Sequence, residues 1–210
     1  MNEESKRPQT TKAYIQEQVR NLQSNPECGT THYNLAIGLI NEGKFDEAIE
    51  ELRAAIDSSP SLGEAYVALG GIHFHQGDLE ACLRLNEHAI KIRPKLCQPY
   101  GNIAFVYLQK GEPDKAVEYL EKAISLNPEF IQAHSTLASA YFMQGRIDDS
   151  IAASKKALEL DEKFAVAHNN LALAYLEKGD YNKAIEHCDN AVAFGFEVPA
   201  EFLKDLEPHR

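Results

Sequence analysis

The chain has 210 residues, 44% hydrophobic and 25% charged, so it is long enough to bury a continuous core and too apolar for a disordered tail. Lys and Arg number 21 against 32 Asp and Glu, and the net charge of -11 repels phosphate backbones and anionic lipid headgroups. Nucleic acid and membrane insertion are therefore excluded as expectations, since no apolar run approaches the ~20 residues a bilayer requires and no apolar stretch follows the basic N-terminal residues. A cytoplasmic protein is expected.

In chain order, residues 1–10 read as a disordered N-terminus. Residues 11–28 follow as a capping half-unit, in which a helix from Thr11 to Ser24 puts Tyr14, Ile15, Val19 and Leu22 on one side. Pro26 stands 34 residues before Pro60, the first sign of a longer period.

From residue 29 the chain repeats itself. The stretch EGKFDEAIEELRAAIDSSP returns as KGEPDKAVEYLEKAISLNP and KGDYNKAIEHCDNAVAFGF. Gly43, Gly77, Gly111, Gly145 and Gly179 stand 34 residues apart. Ala55, Ala89, Ala123, Ala157 and Ala191 keep that period, as do Leu35, Leu69, Ile103, Leu137 and Leu171, and the small residues Ala36, Gly70, Ala104, Ala138 and Ala172. The five copies occupy 29–62, 63–96, 97–130, 131–164 and 165–198, without an insertion or deletion.

Within a copy the apolar positions fall three and four apart in two segments, for example Leu137 and Tyr141, then Ile151 and Leu158. Each copy is thus expected to be two antiparallel helices. The glycine between them suits a tight turn needing a positive φ, and Pro60, Pro94 and Pro128 punctuate the boundaries. In the remaining stretch, 199–210, Pro199 opens a last helix whose Phe202, Leu203 and Leu206 cover the end of the fifth copy, with 207–210 frayed.

This pattern resembles the tetratricopeptide repeat (TPR) family over residues 29–198. The resemblance implies an all-α fold: a right-handed α-α superhelix, or solenoid, of five helical hairpins with an N-terminal and a C-terminal capping helix. Glu162 departs from the pattern where the fourth boundary proline would stand. His73, Cys82 and Asn86 depart from it in the second copy, which is expected either to pack less tightly or to hold a buried His73 to Asn86 hydrogen bond.

The resemblance also implies that the first helix of each hairpin lines a concave groove through its second, fifth, sixth, ninth, twelfth and thirteenth positions. Sixth positions are Asn34, Ala68, Asn102, Thr136 and Asn170, with Asn169 beside the last. The ladder is similar to the asparagine-lined repeat domain of O-GlcNAc transferase, which implies a grip on the main chain of an extended peptide. Amides donate and accept at once, which suits that role; solvated amides, or bonds within their own helices, are the plainer reading. Ninth and twelfth positions supply Ile37, Ile40, Phe74, Phe105, Leu108, Phe142, Leu173 and Leu176, either a binding lining or packing between first helices. Tyr33, His75, Gln98, Gln132 and Met143 complete the surface. Its charges are Glu64 and Glu177, with no Lys or Arg, so a clamp for the acidic tails of chaperones is absent.

Chemistry finds no footing. Cys28, Cys82, Cys97 and Cys188 form no CxxC pair, His73 and His75 diverge on a helix, and no GxSxG, GxxxxGK[ST] or HExxH occurs. His32, His134 and His168 share the fourth position of a repeat and read as interface fillers. No catalytic residue, metal or cofactor is expected. The sequence points to a protein-binding adaptor or scaffold with a protein or peptide partner. The rival is a structural subunit or assembly factor of a larger enzyme, docking through its ends or convex face. A third reading is weak homo-oligomerisation through Val198–Leu206.

Overall fold

The computed structural model describes residues 11–210, so the expectation for residues 1–10 lies outside it. Every regular element among the described residues is helical. Helix α1 (Thr11–Ser24) precedes five hairpins: α2 (Gly29–Asn41) with α3 (Phe45–Ser58), α4 (Gly63–His75) with α5 (Leu79–Ile92), α6 (Gln98–Gln109) with α7 (Pro113–Leu126), α8 (Ile131–Met143) with α9 (Ile147–Leu160), and α10 (Ala165–Glu177) with α11 (Tyr181–Ala193). Helix α12 (Ala200–Leu206) and a 3₁₀ turn (Glu207–His209) end the chain.

The hairpin turns are built alike because the same glycine recurs. Gly43, Gly77, Gly111, Gly145 and Gly179 all take φ between 72° and 81°. In the first, Gly43 N–H donates to Ile40 O and Lys44 N–H to Leu39 O, both at 2.9 Å, which satisfies two carbonyls at the helix end. The same pair of bonds closes the other four turns. An L-residue with a Cβ in this region costs roughly 1–2 kcal/mol, so glycine is the residue the turn selects.

The chain forms two compact units, up to Pro99 and from Tyr100 onward. In the first, Leu35, Ala36, Leu39, Ala48, Leu52, Ala55, Ala65, Leu69 and Ile72 form a core, with Ile15 and Leu22 of α1 packed against it. The face of α1 differs from expectation: Gln18 is buried and Val19 is 42% exposed. Ile15, Gln18 and Leu22 follow a three-then-four spacing that excludes Val19 from the contact stripe.

In the second unit, Ile151, Leu171, Ala172, Ala174, Tyr175, Ala184 and Cys188 are joined by Phe202 and Leu206 of α12. Leu203 stays exposed. The end is not frayed: His209 stacks on Tyr181 and Arg210 pairs with Asp189 at 3.2 Å. The segment read as a route to self-association thus spends Phe202 and Leu206 on the core of its own unit.

The second hairpin replaces the expected His73 to Asn86 bond with a different solution. Asn86, fully buried on α5, donates to Cys82 O at 2.8 Å, while His73 lies 3.8 Å from Asp78. The Asn86 amide fills space beside α4: a Cβ on Gly70 would meet its Nδ2 at 2.5 Å. The four other hairpins have Ala at that position, so Gly70 and Asn86 form a compensating pair.

Candidate functional site

In the first unit, Tyr33, Asn34 and Ile37 of α2 are half-buried, as is Phe74 of α4, and His75 is exposed. Tyr33 and Ile40 also pack on the core. Burial, then the neighbouring Glu64 carboxylate, push the Tyr33 hydroxyl above its usual range. His75 stacks near Phe45, with ring centroids 6.2 Å apart. Glu64 is not an isolated charge: Arg93, at the end of α5, lies 3.4 Å away.

In the second unit, Asn102 and Asn169 are half-buried, and Phe105 is 42% exposed. Met143 at 49% and Val166 at 39% extend the apolar surface of the first helices. Phe142 and Leu173 are half-buried against the core formed by Leu171 and Tyr175.

Two candidates depart from the expected lining. Leu108 is buried, so it fills the interior and offers no surface. Asn170 is also buried, and its amide donates to Ser135 O at 2.9 Å while its carbonyl accepts from Ser139 Oγ at 3.4 Å. That side chain ties α8 to α10. The signal was present in Ser135 and Ser139, which offer α10 polar partners where the amide was read as gripping a ligand or meeting solvent.

The fourth-position histidines are pinned by a bond that sequence reasoning missed. His32, His134 and His168 place Nε2 against the carbonyls of Pro26, Pro128 and Glu162, each six residues upstream, at 2.8, 2.8 and 3.0 Å. The other ring nitrogen faces the second helix: His32 Nδ1 meets Glu51 at 2.6 Å and His168 Nδ1 meets His187 at 3.0 Å. They fill interfaces, and they also staple the first, fourth and fifth hairpins to the loop before each.

All four cysteines are free thiols. Burial pushes the Cys82 thiol up to about 11, against the opposing Asn86 hydrogen bond. Hydrogen bonds from Thr31 hold Cys28 below its usual range. Among the described residues no cluster of three His, Cys, Asp or Glu could hold a metal, and no helix is long and apolar enough to cross a membrane.

With this geometry in place, comparison with known proteins gives a consistent result. Sequence models described as "Tetratricopeptide repeat" match residues 33–94, 98–130 and 165–194, and one described as "TPR repeat" matches 138–179. No curated protein matches the chain. Among solved structures, a chain of the APC/C hetero-tetramer Cut9-Hcn1 is similar with a TM-score of 0.85 at 20% identity over 95% of this chain; the match spans only 39% of that longer chain. MamA is 31% identical with a TM-score of 0.60, over 74% of this chain and 91% of MamA. YrrB, described as a TPR protein with an unusual peptide-binding site, has a TM-score of 0.63 at 20% identity, over 93% of this chain and 98% of its own.

Proposed function

Because the chain belongs to the tetratricopeptide repeat family, a fold of protein–protein interaction, we propose that it is a non-catalytic adaptor or scaffold holding a segment of a partner polypeptide against its first helices. The observation that carries this reading is the surface character of those helices. In the second unit Phe105, Met143 and Val166 are exposed and Asn102 and Asn169 half-buried; in the first unit Asn34 and Ile37 are half-buried; and no Lys or Arg stands at a lining position. Exposed apolar side chains bordered by amides suit a ligand held by its main chain and apolar side chains, not an acidic tail. The description of YrrB as peptide-binding supports a peptide or protein ligand. Four free thiols fit a reducing cytoplasmic setting.

The test is a tagged pull-down from the native host, comparing the wild type with a Phe105→Ala, Met143→Ala double variant that melts alike by circular dichroism. Partners lost from the variant support the first-helix reading, and an unchanged set sinks it.

A second reading, a structural subunit or assembly factor docking through its end, is favoured by one observation. Tyr181, Val192, Phe194 and Leu203 are all exposed near the C-terminal end of the second unit. Val192→Asp with Leu203→Asp would remove partners under this reading and leave them under the first.

A further inference from the structure

We propose a second docking site on the second-helix side of the fourth hairpin, shaped for a tyrosine side chain that a partner polypeptide presents beside a lysine or arginine. The fourth hairpin differs from the others along its second helix. At three consecutive positions the other second helices carry Glu50-Glu51-Leu52, Arg84-Leu85-Asn86, Glu118-Tyr119-Leu120 and Glu186-His187-Cys188, whereas α9 carries Ala152-Ala153-Ser154. Ala152 and Ala153 line an open concavity of about 470 Å³. Ile124 of α7, Leu137 and Tyr141 of α8, and Ala152 and Ala153 of α9 give it apolar walls.

His134 lines the same concavity, at 7% exposure. Its Nε2 is committed to Pro128 O at 2.8 Å, as in the two sister histidines. There the Nδ1 meets Glu51 or His187; here the corresponding residue is Ala153, which has nothing to offer. The fully buried side-chain polar atoms lacking a partner among the described residues are the hydroxyls of Ser150 and Ser154, so His134 Nδ1 is not sealed in with them. With Nε2–H donating to the carbonyl, neutral imidazole leaves Nδ1 as an acceptor.

An apolar slot with one acceptor at its wall selects an aromatic ring that carries a donor, which a phenol supplies and a phenyl ring does not. Charge completes the description. Asp149 and Glu121 border the slot; Arg146 pairs with Asp149 at 2.7 Å, and Glu121 is exposed with no partner among the described residues. A cationic residue next to the tyrosine meets that carboxylate. The site does not depend on the first-helix reading, because none of its residues belongs to that lining.

The experiment titrates ¹⁵N-labelled full chain with N-acetyl-Tyr-Arg-amide, N-acetyl-Phe-Arg-amide and N-acetyl-Tyr-Glu-amide to about 10 mM, the range in which small ligands bind weakly. Saturable shifts of the Leu137, Ala152 and Ala153 amides are expected with Tyr-Arg, and binding roughly threefold to tenfold weaker with each of the other two, the worth of one hydrogen bond or one exposed ion pair. Ala153→Glu, which copies the Glu51 position and gives His134 its partner, should abolish the shifts. Glu121→Lys, at an exposed position that leaves the melting temperature unchanged, should weaken Tyr-Arg severalfold and serves if Ala153→Glu fails to fold. The proposal is overturned by no saturable shift with Tyr-Arg, by equal affinity for Phe-Arg, or by variants that bind as the wild type does.

Discussion

At the residue scale, the pair Gly70 and Asn86 shows how a departure from a repeat pattern is absorbed. A Cβ at Gly70 would press on the Asn86 amide, which is fully buried and already bonded to Cys82 O. Gly70→Ala therefore overpacks the second hairpin, at a cost of roughly 1–3 kcal/mol, although helix propensity alone favours alanine. Alanine stands at this repeat position elsewhere, as Ala36 and Ala104, where Leu52 and Leu120 hold the position of Asn86. Adding Asn86→Leu to Gly70→Ala should recover much of that loss, measured as a double-mutant cycle of urea denaturation. Additive losses would mean the two residues are not coupled.

Individual elements are joined by polar contacts that the repeat pattern does not encode. Asn170 links α10 to Ser135 and Ser139 of α8, so Asn170→Ala strands buried partners and should cost about 1–3 kcal/mol. Half-buried Asn34, also at a sixth position, should cost no more than about 0.5 kcal/mol when changed to Ala. Equal losses from the two variants would contradict the structural role of Asn170. Helix α10 also carries His168, whose Nδ1 meets His187 of α11 at 3.0 Å. Burial, then the His168 imidazole, then Lys155 and Lys183 hold His187 below its ordinary value, with Glu186 opposing them. A depressed histidine binds its proton more readily in the unfolded chain, so the stabilisation is present above about pH 6.5 and is lost as pH falls toward the folded-state value. Melting temperature should drop between about pH 7.5 and 5.5, and the drop should shrink in His187→Gln. These cases mark what the sequence could and could not disclose. The glycine period located the turns because a positive φ is a local demand that one residue type meets. Whether Asn170 or Leu108 faces outward is set by neighbouring helices, and only the serines of α8 hinted at it. Ala153 was equally visible, but that it offers His134 Nδ1 no partner appears only when α8 and α9 stand side by side.

For the molecule as a whole, charge and binding surface point in different directions, and that difference can be measured. The net charge of -11 gives a long-range field that favours basic partners in encounter, yet the lining positions of the first helices hold mostly apolar side chains and amides, with Glu64 already beside Arg93 and Glu177 the one other charge. Contacts of the first kind are screened within about 8 Å at physiological ionic strength; burial of Phe105 and Met143 is not. A partner held on the first-helix faces should therefore associate more slowly as salt rises from about 0.05 to 0.5 M, while its dissociation rate stays within about twofold. A partner on the Glu121 rim would lose affinity over the same range. Surface plasmon resonance on a captured partner separates the cases, because a dissociation rate climbing steeply with salt would show that ion pairs, not apolar burial, hold the complex together.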